Sequence, residues 1–340
     1  MLEDNDAIKW MCDSLGLNSL PFEGEKIQAG GINYIYEDGI FRQIAERSVP
    51  QAQTRDTFAY KWKKRETYES EVSLAAVREW LVARYGDCGR FFDGPAPAVL
   101  LDAGCGAAMS AIELFGEFLA QVAYVGVDVS TAVDVARKRF DERGFGGAFM
   151  QADLTRLPFA PASVDLIFSE GVLHHTDSTE RALKSLAPLL RPSGWFLFYV
   201  YRKKAPLREY ADDYIRAQMQ TVSADEAWDM LMPLTKLGKA LGDLDIDLKV
   251  PEDVSLLGIK AGTLPVQRFV YWNLFKAFYR SDMTLEEMNH VNFDWYAPKN
   301  AHRQTPEDIR KWCAEAGLDI AEIALEEAGI TVIARKDNGA

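Results

Sequence analysis

The sequence predicts an α/β fold built on a doubly wound, mainly parallel sheet, and three observations carry that prediction. Short, almost wholly apolar runs alternate with segments of helical spacing from Ala98 to Tyr201, the pattern of a parallel sheet covered on both faces. The first run ends in Asp102-Ala103-Gly104-Cys105-Gly106, a glycine turn at the strand-to-helix junction where such sheets bind nucleotides. The second ends in Val125-Gly126-Val127-Asp128-Val129-Ser130, which puts a carboxylate at the tip of the neighbouring strand.

Taken in order, residues 1–65 read as an N-terminal appendage. Tyr34-Ile35-Tyr36 and Ile40-Phe41-Arg42 flank Glu37-Asp38-Gly39, a β-hairpin with Asp-Gly at its turn. A polar stretch from Ser48 to Asp56 leads into Phe58-Ala59-Tyr60-Lys61-Trp62-Lys63-Lys64-Arg65, basic and aromatic together. Residues 66–202 form the core. Val72, Ala75, Ala76, Trp80 and Val82 give residues 66–85 helical spacing, and Gly94-Pro95-Ala96-Pro97 is a breaker. Strands follow at Ala98–Leu101, Tyr124–Val127, Ala148–Met150, Val164–Phe168 and Gly194–Tyr201. Helices lie between them at Ala107–Leu119, Thr131–Arg143 and 178–190. Residues 203–297 are mostly helical with no strand run, an insertion after strand five. Residues 298–340 complete the core. Thr305 as N-cap with Pro306 behind it starts a helix, and Ile320–Leu325 and Ile330–Ala334 close the chain as an antiparallel pair.

Composition narrows the function. The 340 residues are 48% hydrophobic and 26% charged, globular values that exclude disorder, collagen and coiled coil as the main state. Thirty-eight basic against 51 acidic residues give a net charge of −13. That charge opposes nucleic acid and an anionic membrane surface, so neither is an expected partner. Cys12, Cys88, Cys105 and Cys313 form no Cys-x-x-Cys pair, so neither a disulfide framework nor a metal site is expected. With no long apolar run and an acidic N-terminus unlike a leader peptide, the expected location is the cytoplasm.

The glycine turn discriminates between cofactors. Gly104 and Gly106 allow close approach to the backbone. A dinucleotide fingerprint wants a third glycine at position 109, where Met109 stands. Asp102 would repel a diphosphate and welcome a cation. S-adenosylmethionine carries an ammonium and a sulfonium and no phosphate. Asp128 suits the ribose hydroxyls of either cofactor.

These residues are joined by Gln151-Ala152-Asp153-Leu154, Leu157-Pro158-Phe159 and Val164-Asp165-Leu166-Ile167-Phe168-Ser169. Glu170-Gly171-Val172-Leu173-His174-His175 and Leu190-Arg191-Pro192-Ser193-Gly194-Trp195 extend the set. In order and spacing they resemble a class I S-adenosylmethionine-dependent methyltransferase, of the small-molecule group that includes quinone-biosynthesis enzymes. The resemblance covers residues 98–201 and the closing 305–335. It implies a Rossmann-like sheet with S-adenosylmethionine as cofactor. Gly104, Cys105 and Gly106 would flank its methionine part, with Asp102 near the ammonium. Asp128 would take the ribose, Val129 would pack on adenine, and Asp153 and the Leu154 N–H would read the adenine edge. Ser169 and Glu170 would lie near the reacting methyl.

Further candidates come from the residues themselves. His174 and His175 follow strand four, and histidine is the usual general base near neutral pH. Tyr60, in Tyr60-Lys61-Trp62, is a candidate lid over the cofactor. Residues 268–279, RFVYWNLFKAFY, read as a helix apolar all round, hence buried, a wall for an apolar acceptor, or a homodimer contact. Trp295 and Tyr296, with Asp294 before them, as well as His302 and Tyr201, are candidates for the acceptor site. The expected activity is methyl transfer to oxygen, nitrogen or carbon of a small molecule by direct displacement. The alternatives are an S-adenosylmethionine-binding protein with non-methylating chemistry and a nicotinamide-dependent oxidoreductase.

Overall fold

The chain, described here as a computed structural model, is placed for residues 5–92 and 98–338. The breaker Gly94–Pro97 lies outside the described residues. Helix α1 (Asp6–Ser14) is capped by the Asn5 side chain, which accepts from the Ala7 and Ile8 N–H groups. Strands β1 (Lys26–Ala29), β2 (Ile32–Glu37) and β3 (Ile40–Ile44) form an antiparallel meander. Its β2–β3 turn holds Asp38 at φ 53° and Gly39 at φ 70°, both positive as a tight two-residue hairpin requires. Helices α2 (Val49–Lys63) and α3 (Glu71–Tyr85) follow. The core then alternates: β4 (Ala98–Ala103), α4 (Met109–Phe115), β5 (Val122–Asp128), α5 (Ala132–Arg143), β6 (Ala148–Gln151), β7 (Val164–Glu170), α6 (Thr179–Leu186) and β8 (Leu190–Tyr201).

The insertion holds α7 (Pro206–Met219), α8 (Ala224–Asp243), β9 (Asp247–Val250), β10 (Gly262–Pro265), α9 (Val266–Asn273) and α10 (Leu285–Tyr296). Helix α11 (Pro306–Glu315) and strands β11 (Leu318–Leu325) and β12 (Gly329–Lys336) close the chain. Thr305 caps α11 in a reciprocal box with Asp308.

Ten strands make one sheet in the order β1-β2-β3-β6-β5-β4-β7-β8-β12-β11. Strand β12 runs antiparallel to β8, pairing Val332 with Phe198. The N-terminal meander is continuous with this sheet, because β3 pairs in parallel with β6, Ile40 against Phe149. Adjacent residues of β4 serve opposite cores. Leu101 packs on the side of α1, α6 and α11, with Met11, Leu183 and Ile309. Leu100 packs on the side of α3, α4 and α5, with Leu81, Phe115 and Phe140. Each such leucine stabilises the fold by about 1.5–3 kcal/mol through burial.

The chain leaves β4 toward β5 on one side and later returns to β7 on the other. Their carboxyl ends diverge there, opening the crevice in which doubly wound sheets bind ligands.

Two expectations for the insertion need correction. It contains a strand pair, with Leu248 opposite Leu264, too short and too exposed to leave an apolar run in the sequence. The aromatic segment is helical only to Asn273. Beyond it the Lys276 and Phe278 N–H groups donate to the Tyr296 hydroxyl and Asn292 Oδ1 instead of to helix carbonyls. None of residues 268–279 is fully exposed, and most are half-buried. No helix among the described residues is long and apolar enough to cross a membrane.

Candidate active site

A cavity of about 360 Å³ occupies the crevice, within the range of small-ligand sites. Gly104, Gly106, Asp128, Val129, Asp153, Leu154 and Glu170 form its sheet wall. Gln51, Thr54, Phe58, Lys61 and Trp62 of α2 face them. The insertion closes the far end as a cap, with Lys204, Arg208, Trp272, Lys276, Phe278, Asp294 and Trp295 beside Tyr199 and Tyr201 of β8.

The β4–α4 turn is clamped from beneath. The Gly104 and Cys105 N–H groups both donate to the Val127 carbonyl, at 2.7 and 3.0 Å. Gly104 sits at φ +91°, and a Cβ there would lie 2.1 Å from Val172 Cγ1. Gly106 donates to Asp128 Oδ2 at 2.9 Å. Asp128 Oδ1 accepts from the Ser130 N–H at 2.8 Å and hydroxyl at 2.7 Å. A carboxylate offers about four acceptor sites, so Asp128 keeps acceptor capacity for a ligand. Burial raises its pKa, while Ser130, the Gly106 N–H and the nearby Lys61 pull it back.

A polar centre sits between sheet and cap. Lys61 Nζ donates to Asp294 Oδ1 at 2.5 Å, and the Tyr201 hydroxyl donates to Asp294 Oδ2 at 3.1 Å. Burial would raise the Asp294 pKa, but Lys61 and His175 outweigh it and hold the group well below the usual carboxylate range. His175 Nδ1 lies 2.5 Å from the Asn300 carbonyl. A carbonyl only accepts, so Nδ1 carries the proton and Nε2 is a bare lone pair. That Nε2 has no partner. Burial pushes the His175 pKa down to about 4, so the ring is neutral at physiological pH. At the sheet edge Glu170 Oε2 accepts from the Tyr85 hydroxyl, and its other oxygen has no partner. Burial raises the Glu170 pKa to about 7.

Several candidates lie behind the wall rather than on it. Asp102 is 3% exposed and its carboxylate accepts from the Tyr124 hydroxyl at 2.7 Å. Cys105 and Ser169 are buried, the Ser169 hydroxyl donating to the Ala103 carbonyl at 2.7 Å. Tyr60 occupies the outer side of α2, its ring 5.6 Å from Phe293 of the cap, so the lid residues facing the cavity are its helix neighbours. His174 is buried behind Tyr201, ring centroids 3.7 Å apart, and its Nδ1 accepts from the Tyr201 N–H at 3.4 Å. Tyr296 is turned to Asp212, 2.9 Å from its hydroxyl. His302 is exposed on the far side of the loop, where Nε2 donates to the Thr176 carbonyl at 3.0 Å. The cavity thus gathers His175, Tyr201 and Trp295 with the sheet residues and leaves His174, Tyr296 and His302 outside.

Sequence reasoning missed Gln51, Thr54, Lys204, Arg208 and Lys276, all on the cavity wall. No local signal marks the cations, which tertiary packing brings together. For α2 a signal was present: Ser48 caps the helix by accepting from the Gln51 N–H, with Pro50 in the first turn. Among the described residues no group of three His, Cys, Asp or Glu side chains is placed to hold a metal.

Comparison with known proteins bears on this same stretch. Residues 101–198 match the family described as Methyltransferase domain. An Encephalitozoon cuniculi protein bearing the name methyltransferase is 32% identical over 141 residues, 40% of this chain and 59% of its own. Bacillus subtilis YodH, also named a methyltransferase, is 34% identical over 108 residues, 32% of this chain and 45% of its own. A Mus musculus protein bearing the name tRNA methyltransferase 9B is 32% identical over 129 residues, 36% of this chain and 26% of its own. The chain spans about half the length of the first two relatives. Among solved structures, Burkholderia thailandensis 1,6-didemethyltoxoflavin N1-methyltransferase aligns over 93% of this chain and 100% of its own, at 15% identity and a TM-score of 0.44. The stretch that builds the sheet wall of the cavity is thus the stretch that matches a methyltransferase domain.

Proposed function

We propose that this chain transfers a methyl group from S-adenosylmethionine to a small molecule enclosed between sheet and cap. One observation carries the reading: the sheet wall is acidic. Asp128, Asp153 and Glu170 line it without a Lys or Arg from those strands, a donor set that suits a cationic cofactor and repels the pyrophosphate of a dinucleotide. Asp128 would hold the ribose hydroxyls, Val129 and Leu154 would flank the adenine, and Asp153 would accept from its amino group. The partnerless Glu170 oxygen is available to a cationic part of the cofactor.

The cofactor supplies an electrophilic methyl on a sulfonium. His175 Nε2 would take the proton that the acceptor atom gives up. Lys61 and Tyr201 fix Asp294, which in turn biases the charge around His175. The cap and α2 exclude water and orient the acceptor, and such positioning supplies much of the rate enhancement. The net charge of −13 and the closed cap favour a small acceptor over tRNA.

The test uses methyl-labelled S-adenosylmethionine with a deproteinised small-molecule extract and, separately, with bulk tRNA. Label in the small-molecule fraction supports the reading, and label in tRNA alone removes the acceptor class. Asp128→Ala should weaken S-adenosylhomocysteine binding about 10-fold or more, as expected for losing hydrogen bonds to a charged group. Unchanged affinity by calorimetry would remove that assignment.

A further inference from the structure

The two ends of the cavity carry opposite charge. The sheet wall is acidic, and the cap end presents Lys204, Arg208 and Lys276. Arg208 is already committed, its Nε 2.9 Å from both Asp212 oxygens. Asp294, the carboxylate on this side, is committed to Lys61 at 2.5 Å. Lys204 Nζ donates to the carbonyls of Arg202 at 2.8 Å and Ala328 at 2.6 Å, neutral partners that leave its charge unmatched. Lys276 is 7% exposed, and among the described residues no hydrogen bond or ion pair reaches its ammonium. Both ammoniums face one indole: Lys276 Nζ is 4.7 Å and Lys204 Nζ 5.4 Å from the Trp295 ring centroid.

A buried ammonium without a counter-ion is costly. Burial, together with neighbouring cations such as Arg208, pushes both lysines down to about 7. The missing charge is one that a ligand would bring. The surrounding walls are flat and apolar, from Trp272, Phe278, Tyr199 and Trp295. A phosphate dianion is commonly met by an open guanidinium fork, and here Arg208 has its Nε taken by Asp212 and one terminal nitrogen by the Tyr271 carbonyl. One open ammonium, a point donor with a second beside it, matches a monoanion.

We propose, building on the methyl-transfer reading, that the methyl acceptor is a ring-bearing organic acid whose carboxylate sits against Lys276, with Lys204 beside it. The carboxylate is the anchor. The atom that receives the methyl lies at the other end of the molecule, toward His175 and the acidic wall. Cap and sheet then divide the work by charge, the cap holding the anionic acceptor and the sheet the cationic cofactor.

The test compares cinnamate, its neutral amide cinnamamide, and phenyl phosphate, titrated into the full chain with and without saturating S-adenosylhomocysteine and read by calorimetry. Cinnamate should bind about 10-fold or more tighter than cinnamamide, as a charge-assisted hydrogen bond predicts. Lys276→Met should bring the two to parity while leaving S-adenosylhomocysteine affinity within about twofold of the parent, an apolar side chain being tolerated where an ammonium was buried. Lys204→Met, which keeps Lys276, should retain part of the preference and guards against a folding defect in the first variant. Parity in the parent, no binding of either, or a preference that survives both substitutions overturns the proposal. Phenyl phosphate binding more tightly than cinnamate overturns the carboxylate. Loss of S-adenosylhomocysteine binding by the parent overturns the methyl-transfer reading instead, and the comparison made without it still decides the acid.

Discussion

At the scale of single residues, His175 shows how one hydrogen bond sets a tautomer. The Asn300 carbonyl at 2.5 Å fixes the proton on Nδ1 and leaves Nε2 a bare lone pair without a partner. Phe58 packs against the ring, centroids 5.0 Å apart. Burial lowers its pKa to about 4 against the pull of Asp294, with Lys61 and Arg216 on the same side as burial. The base form therefore exists at every pH above about 4. Two outcomes are expected. His175→Gln should slow methyl transfer about 10²–10⁴-fold, the range for a general base, with S-adenosylhomocysteine affinity unchanged. The parent's pH–rate profile should show no inflection from this residue near the ordinary histidine value of about 6.5. A variant that alters only KM would make His175 a positioning residue.

At the scale of elements, helix α2 decides what the cavity can hold. It lays Trp62 against the glycine turn, where a Cβ on Gly106 would sit 2.8 Å from Trp62 Nε1, and it hands Lys61 to Asp294. Its inner face mixes buried Gln51, Thr54 and Lys61 with Phe58 and Trp62, so no continuous apolar stripe betrays it in the sequence. A helix held by the contents of a cavity should tighten when the cavity fills. Amide exchange across residues 49–63 should slow severalfold on saturation with S-adenosylhomocysteine while β12 is unaffected. Equal exchange rates with and without ligand would mean that α2 is a fixed wall. This contrast also explains what the sequence could reveal. The sheet wall was legible because Gly104, Gly106, Asp128 and Asp153 each lie at the end of a strand or within a few residues after it, so that local order implies spatial neighbourhood. Lys276, Lys204 and Asp294 come from different parts of the chain and meet only through cap packing. A lone lysine in a sequence reads as a solvated one. Asp102 shows the same limit from the other side: its place before the glycine turn is read from local order, but the Tyr124 hydroxyl that donates to its Oδ2 comes from the next strand.

At the scale of the whole molecule, the fold buries opposite charges, Asp102 behind the sheet wall and Lys276 on the cap, and each costs stability in a different pH range. Asp102 is raised by burial from 3.8 to about 7. In that window the unfolded chain ionises while the folded one resists, so the stability present below 3.8 is lost as pH rises to about 7 and stays lost above it. Lys276 is lowered by burial from 10.5 to about 7. Here the folded chain gives up its proton first, so the cost is full below about 7 and is relieved as pH climbs toward 10.5. His174, His175 and His290, buried and shifted below 6.5, weaken the fold on the acid side, so the absolute curve mixes several groups. The differences between variants separate them. Asp102→Asn, which can still accept from Tyr124, should match the parent in urea midpoint below pH 3.8, gain steadily up to about pH 7 and then hold its gain. Lys276→Met should show the mirror image, a constant gain below about pH 7 that shrinks toward pH 10.5. Parallel curves at every pH would mean that neither group titrates differently in the folded and the unfolded chain. If the curves diverge as expected, a ligand that supplies an anion to Lys276 should stabilise the protein most at about pH 7 and progressively less toward pH 10.5, as the unbound ammonium gives up its proton.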